Sequence, residues 1–419
     1  MSDYDVNPDT ESGFDPAGTI IRVVGVGGGG GNAVNRMIDE GLKGVEFVAI
    51  NTDSKDLARS EADVKITLSD ETSRGLGAGG DPEKGAKAAE DHQSDIEEAL
   101  KGSDMVFVTC GEGGGTGTGA SPIVARIARQ QGALTIAVVT RPFAFEGKRR
   151  AASAETGIEN LRKEVDAMIT IPNDRLLDLD PSTSFIDAFK RADSTLVAGV
   201  RGITDLITNP NPYMNVDFAD VCSTLKDAGT ALFGIGSAQG DQRCLQAAEF
   251  AIASPLLEQG ISGAHSVLVS IAGPADLLLT EVSEAMDMIS KTVHPEAAIT
   301  MGCTLDDSFG DGVFVTIVAG GFTAADDPAN QDAQDKTAPV IDTTSPVSRP
   351  IQTKPVIAPA AAAPVAAPSV AQRPVSSDDT AEHAVYPSQS GQFNAMPPYT
   401  ETFDDDDDGD EPTIPDFMR

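Results

Sequence analysis

Gly113-Gly114-Gly115-Thr116-Gly117-Thr118-Gly119 is the stretch on which the fold turns. An apolar, β-branched run, Met105 to Cys110, precedes it, and a helical-looking run, Ala120 to Ala128, follows. Strand, glycine segment and helix start together present backbone N–H groups and the positive end of a helix dipole to an anion. A plain tight turn needs one or two glycines, not five in seven residues. The two threonines add hydroxyl donors without bulk. Pro122 is expected in the first helical turn, where its missing N–H costs nothing. The stretch reads as a phosphate cradle.

The same unit occurs upstream. Ile20 to Val26 reads as a buried strand, Gly27 to Asn32 as a glycine segment, and Ala33 to Glu40 as a helix stopped by Gly41. Gly25, Gly27 and Gly30 satisfy GxGxxG, the dinucleotide pattern. Asp53, just after the next strand, Val45 to Ile50, stands where a ribose contact would sit in an NAD-binding fold. A third glycine segment, Gly75 to Gly80, precedes a helix expected from about Pro82 to Lys101. Strands follow at Ala133 to Val139 and Ala167 to Ile171; the first leads through Arg141–Arg150 into a helix to about Glu164. Alternating strands and helices make this half α/β. The loops sit at strand carboxyl ends, which share one edge in a parallel sheet, and ligands bind there.

A long helix is expected over about 184–207, ended firmly by Asn209-Pro210-Asn211-Pro212. Asn215-Val216-Asp217-Phe218-Ala219-Asp220 and a helix to Asp227 come next. A second set of strands covers Ala231–Ile235, His265–Ile271, Ile299–Leu305 and Val313–Val318, with helices between the first three. After Phe322 the pattern collapses: 14 of the 26 prolines fall in the last 96 residues, a composition that reads as an extended linker. It closes with Asp404–Asp408 and a short peptide, Glu411 to Arg419, which reads either as a docking peptide or as a frayed end. Residues 1–18 are polar and read as a disordered leader.

Charge narrows the partners. The net charge is −35; residues 324–419 hold 17 Asp/Glu against five Lys/Arg, which leaves −23 on the rest. Nucleic-acid phosphates are repelled by such a body, and no basic patch offsets this. A bound polyphosphate would need backbone dipoles and a metal cation more than lysines. Cys110, Cys222, Cys244 and Cys303 form no CxxC pair and read as buried reduced thiols. His92, His265, His294 and His383 form no cluster in the sequence. The start of the chain lacks signal-peptide features and no run of 18 apolar residues occurs, so a cytoplasmic protein with no membrane insertion of its own is expected.

The glycine signature Gly113–Gly119, with Gly27–Asn32, Asn51–Asp53, Ala78–Gly80, Phe143–Gly147, Pro172–Asp174 and Asn215–Asp220 in that order and spacing, resembles the bacterial-type FtsZ cell-division family of the tubulin/FtsZ superfamily. The resemblance spans about residues 18–322 and the last nine. It implies a disordered leader at 1–18, a GTP-binding parallel-sheet domain at 19–183, a central helix at 184–209 and a smaller C-terminal α/β domain at 210–322, which activates hydrolysis. A disordered acidic linker at 323–410 and a docking peptide at 411–419 would follow.

The resemblance implies roles as well. Gly28, Gly29, Gly30, Gly31 and Asn32 would meet the phosphates and base of GTP or GDP. Gly115, Thr116 and Gly117 would hold the α- and β-phosphates, and Ala78 and Gly79 would approach the γ-phosphate. Glu146 and Arg150 would face the ribose and nearby phosphate; Asn173 joins the nucleotide residues. Phe189 would stack on guanine, and Asp193 would accept from its N1–H and 2-amino group. Mg²⁺ would be held mainly by phosphates and water, with no dedicated protein ligands. Asp217 and Asp220, with Asn215, would act on the nucleotide of a neighbouring subunit in a head-to-tail homopolymer at the mid-cell division ring. Ile414, Pro415, Phe417 and Met418 would dock membrane tethers and regulators.

Other readings compete. From spacing alone Asp217 is a good helix cap, Glu146 and Arg150 an ordinary ion pair four apart, and Phe189 a core residue. GxGxxG with Asp53 supports an NAD-dependent oxidoreductase. Glu112, often apolar in the family, puts a carboxylate before the signature that would repel phosphate, which supports a GTP-gated scaffold with little hydrolysis. No GxxxxGK[ST] occurs, which speaks against a P-loop GTPase.

Overall fold

The β-branched runs become strands buried on both faces, and the amphipathic runs between them become covering helices. The computed structural model describes residues 18–68, 75–179, 184–208, 212–214, 216–254, 256–257, 260–306 and 309–322. The expectations for the leader before residue 18, the linker and the terminal peptide lie outside these residues, as does Asn215. The N-terminal half runs β1 (Ile21–Val26), α1 (Gly27–Asp39), β2 (Glu46–Asn51), α2 (Ser54–Leu57), β3 (Val64–Thr67), α3 (Pro82–Asp91), α4 (Gln93–Leu100), β4 (Met105–Gly111), α5 (Thr116–Gln130), β5 (Leu134–Arg141), α6 (Lys148–Arg162), β6 (Ala167–Pro172) and α7 (Asn173–Leu179). α8 (Phe185–Thr208) leads to the second half: β7 (Pro212–Met214), α9 (Phe218–Leu225), β8 (Gly229–Ala238), α10 (Arg243–Ile252), β9 (Ser266–Gly273), α11 (Leu279–Thr292), β10 (Ala298–Leu305) and β11 (Val313–Gly320).

The strand order is β3-β2-β1-β4-β5-β6-β8-β11-β9-β10-β7. β1 to β6 are parallel, β8 continues the sheet parallel to β6, and β11 runs antiparallel between β8 and β9. Both faces are covered, so the parallel strands read as continuous apolar runs. Along β4, Met105 and Phe107 face a core shared with α1 and α8, while Val106, Val108 and Cys110 face α4 and α5. The second half has its own core, built from β9, β11, α10 and α11. There Arg243, buried at the start of α10, pairs with Asp276 (2.7 Å), Glu281 (3.5 Å) and Asp311 (2.6 Å) and ties three connections together.

Several local expectations shift. The glycines after β1 are helical: α1 starts at Gly27, not Ala33. Each helical glycine costs up to about 1 kcal/mol. The offset is close packing, since a Cβ on Gly30 would stand 2.3 Å from the Thr109 carbonyl oxygen. α5 likewise starts at Thr116, so Pro122 lies inside the helix and not in its first turn. The run 82–101 breaks at His92 into α3 and α4, because His92 leaves helical geometry (φ −110°, ψ 23°). β3, α7 and β7 are short elements with no sequence expectation. His265 and His294, 29 residues apart, stack with ring centroids 4.0 Å apart. Among the described residues all four cysteines are free; Cys110 and Cys244 are buried, Cys222 and Cys303 half-buried.

Candidate nucleotide-binding site

The strand order reverses direction between β1 and β4, so the connections leaving their carboxyl ends part to opposite faces and open a crevice. Both glycine segments sit at this crevice. β1 and β4 are hydrogen-bonded neighbours, with Gly25 opposite Thr109. Where the segments meet, a Cβ on Gly27 would stand 2.8 Å from the Gly117 amide nitrogen. α1 and α5 therefore bring their N-termini side by side, and among the described residues no side chain caps either one. Two sets of free backbone N–H groups and two helix dipoles converge, which is a site for anions. Gly28, Gly29 and Asn32 are exposed there, while Gly30, Gly115, Thr116 and Gly117 are buried and Gly31 is half-buried. A cavity of about 180 Å³ opens beside α1, lined among others by Gly27, Gly31, Asn32, Asn51 and Asp56.

Neighbouring turns close on the crevice. The Thr52 and Thr116 hydroxyls bond at 2.6 Å, both buried, and link the turn after β2 to the start of α5. Ala78 touches the signature: a Cβ on Gly115 would stand 2.8 Å from the Ala78 Cβ. Gly79, beside it, has a positive φ of 63° and open space around it. On the other flank Glu146 accepts the Phe143 N–H (2.9 Å) and pairs with Arg150 (3.1 Å). The main chain of Arg150 packs against Gly113, where a Cβ would stand 2.6 Å from its carbonyl oxygen. Asn173 is buried and, among the described residues, its Oδ1 has no partner, leaving an acceptor open to a donor.

α8 supplies the far wall. Phe189 packs edge-on against Phe143 (5.2 Å) and Phe185 (5.1 Å), and Phe145 stacks on Phe143 (5.0 Å). Phe145 and Phe185 are exposed, so the cluster presents aromatic surface at this edge. Phe185, Phe189 and Asp193 recur every four residues on one helix face, the periodic signal from which the cluster was legible. Burial pushes the Asp193 carboxyl up to about 7, with Arg36 of α1 offsetting part of the shift.

The oxidoreductase reading loses its motive, and Glu112 is placed differently from expectation. The Asp53 carboxylate caps α2, accepting from Lys55 N–H (3.0 Å) and Asp56 N–H (3.3 Å), so it is spent locally and offers no support for a dinucleotide ribose contact. Glu112 does not face the crevice: it is buried behind the signature, its Oε1 accepting from the Cys110 thiol (3.3 Å). Asp217 occupies the N-cap position of α9, yet its side chain makes no capping bond. It and Asp220 are exposed.

The acidic pair lies far from the crevice. α8 has 24 residues, about 36 Å of helix. Its first turns hold the aromatic cluster at the carboxyl edge of β5. Its last residue, Thr208, packs against Gly44 just before β2, at the opposite edge of the sheet. α9 starts from there, and its Cys222 lies within electrostatic reach of Asp104 and Asp166, which precede β4 and β6. Within one chain the glycine segments and the acidic pair sit at opposite ends.

Residues 20–181 match the Tubulin/FtsZ family GTPase domain, and residues 229–323 match the FtsZ family C-terminal domain. The chain is similar to an empty FtsZ dimer from M. jannaschii, 44% identical, with a TM-score of 0.70, covering 72% of this chain and 88% of that one. It shares its fold with CetZ2 from Haloferax volcanii, a GTPγS-bound protofilament, at 22% identity and a TM-score of 0.64, covering 76% and 99%.

Proposed function

The chain belongs to the Tubulin/FtsZ family of GTPases, and from that premise we propose that it is a polymerising GTPase of cell division whose active site is assembled between subunits. GTP occupies the crevice at the carboxyl ends of β1 and β4. The N–H groups of α1 and α5 take the phosphates, through Gly28–Gly31 and Gly115–Gly117, with Ala78 and Gly79 over the terminal phosphate. Glu146, Arg150 and Asn173 line the ribose side. Phe189 stacks on the base, and the Asp193 carboxylate accepts the two adjacent donors that guanine has and adenine lacks.

One observation carries the proposal: the acidic pair and the cradle stand at opposite ends of each chain, with α8 between them. Stacked head to tail, each subunit brings Asp217 and Asp220 to the nucleotide of its neighbour. Exposed and free of capping duty, Asp217 can orient and polarise a water toward the γ-phosphate, with Asp220 in the same first turn and Asn215 upstream of it. Turnover then requires assembly. We assign Mg²⁺ chiefly to phosphate oxygens and water, where it would supply charge neutralisation, because the ion keeps several waters and takes few protein ligands. No described helix is long and apolar enough to cross a membrane. We assign recruitment to the division ring to tethers and regulators binding Ile414, Pro415, Phe417 and Met418.

Phosphate release at increasing protein concentration, followed with light scattering, tests the proposal. Specific activity should appear only above a threshold, together with scattering. Asp217→Ala should bind GTP and scatter but release little phosphate. Activity per molecule that stays flat with concentration, or a wild-type rate in Asp217→Ala, refutes the shared site.

A further inference from the structure

We infer that Glu112 is a proton-linked positioning residue behind the phosphate cradle: its neutral carboxyl permits phosphate binding, and its ionised form opposes it. The inference rests on the reading of Gly113–Gly119 as that cradle. Glu112 precedes the signature by one residue and is 1% exposed. Its N–H donates to the Thr140 carbonyl (2.9 Å), which fixes the backbone in the sheet. Its side chain turns into a cell between β4, α5 and α6. There the Cys110 thiol donates to Oε1 (3.3 Å); among the described residues Oε2 and the Ser121 hydroxyl lack a well-formed hydrogen bond, although the Thr118 and Ser121 hydroxyls lie close enough to favour the ionised carboxyl. α6 closes the cell so tightly that a Cβ on Gly157 would stand 2.3 Å from Glu112 Oε2 and 2.3 Å from the Thr118 methyl. Thr118 is the link to the cradle, because its hydroxyl accepts the Gly113 N–H (2.8 Å).

The electrostatics follow from that geometry. An ionised Glu112 would put negative charge in a dry cell whose only partners are neutral thiol and hydroxyl groups, three residues before the Gly115–Gly117 donors meant for phosphate. Buried charge is poorly screened, so it would repel the phosphates and compete for the α5 dipole. Conversely, bound phosphates hold the carboxyl neutral, so nucleotide binding takes up a proton. Burial already pushes the carboxyl up to about 7, and Cys110, Thr118 and Ser121 offset only part of this. The groups facing it are the Cys110 thiol from β4, held neutral by burial, the Thr118 and Ser121 hydroxyls from α5, Thr140 from β5 and Gly157 from α6. Of the charged side chains on these elements, Arg141 pairs with Glu155 (3.6 Å) and Arg150 with Glu146 (3.1 Å).

The test compares GDP affinity of the full chain and its Glu112→Gln variant from pH 6 to pH 9. The ratio of the two affinities cancels other titrating groups. It should rise from about one at pH 6 to about tenfold in favour of the variant at pH 9, tenfold being one pKa unit of coupling. Calorimetry of the wild type at pH 8, in two buffers of different ionisation heat, should show net proton uptake on GDP binding; this readout does not depend on the variant folding. A flat ratio or no uptake overturns the inference while leaving the nucleotide site intact. Failure of both proteins to bind GDP at any pH refutes the cradle reading and the inference with it.

Discussion

Replacing Asp193 by asparagine probes base recognition, and the structure sets the size of the effect. Asp193 must be ionised to accept both guanine donors, yet burial has raised its carboxyl to about 7 in the empty site. Its ionised fraction falls from about one half at pH 7 to about one in eleven at pH 6, so wild-type GDP affinity should fall about fivefold over that unit. Asparagine offers one acceptor and one donor, does not titrate, and turns its donor toward the 2-amino group. Losing a charged hydrogen bond costs about 1.5–3 kcal/mol, or roughly ten- to hundredfold in affinity. Xanthine, which carries an oxygen where guanine has the amino group, should regain most of the loss. Stability moves the opposite way. The folded carboxyl titrates at about 7 against an ordinary 3.8, so its ionisation strains the empty protein above pH 7 and the strain is relieved as pH falls toward 4. At pH 8 the burden is on the order of 4 kcal/mol, and Asp193→Asn should raise the melting temperature of the empty chain. Titration with a fluorescent GDP and its xanthine counterpart at pH 6, 7 and 8, alongside thermal melts, reads all of this. Unchanged GDP affinity with an unchanged pH slope in the variant refutes the assignment of Asp193 to the base.

Packing and binding glycines should separate by substitution. A Cβ on Gly119 would stand 2.0 Å from the Pro82 carbonyl oxygen, so Gly119→Ala should cost about 3 kcal/mol in a thermal or denaturant melt. Gly31 has no atom within 4 Å of such a Cβ, so Gly31→Ala should fold as well as or better than wild type and be weakened only in nucleotide titration. Salt should assist assembly: each chain carries −35, so adding KCl in the range that shortens the screening length should lower the protein concentration at which scattering begins. A threshold that rises with salt would show that junction ion pairs outweigh the repulsion.

The positions that depart from sequence expectation share a cause. A glycine cluster signals that the backbone must come close to something, but not to what. Gly30 and Gly119 are occupied by neighbouring backbone, while Gly31, Gly79 and Gly114 face open space. The same ambiguity placed the start of α1 too late and Pro122 too early in its helix. That Glu112 sits behind the cradle and not in the crevice was not legible, because a sequence does not say which way a side chain points at the end of a strand. Period-two alternation along β4 puts it on the face of Val106, Val108 and Cys110, against α5 and α6.

The sequence by itself determined the alternation of strands and helices, the two strand–glycine–helix units, the long helix before the acidic segment and the family. These are written in local periodicity and in backbone chemistry that only glycine permits. Tertiary structure alone decided the rest. The β1/β4 reversal set two uncapped helix N-termini side by side. The Thr52–Thr116 bond, the Phe143–Phe189 contact and the His265–His294 stack join residues distant in sequence. α8 carried Asp217 and Asp220 to the opposite edge. Such placements depend on how strands order and helices pack, and local propensity carries no information about either.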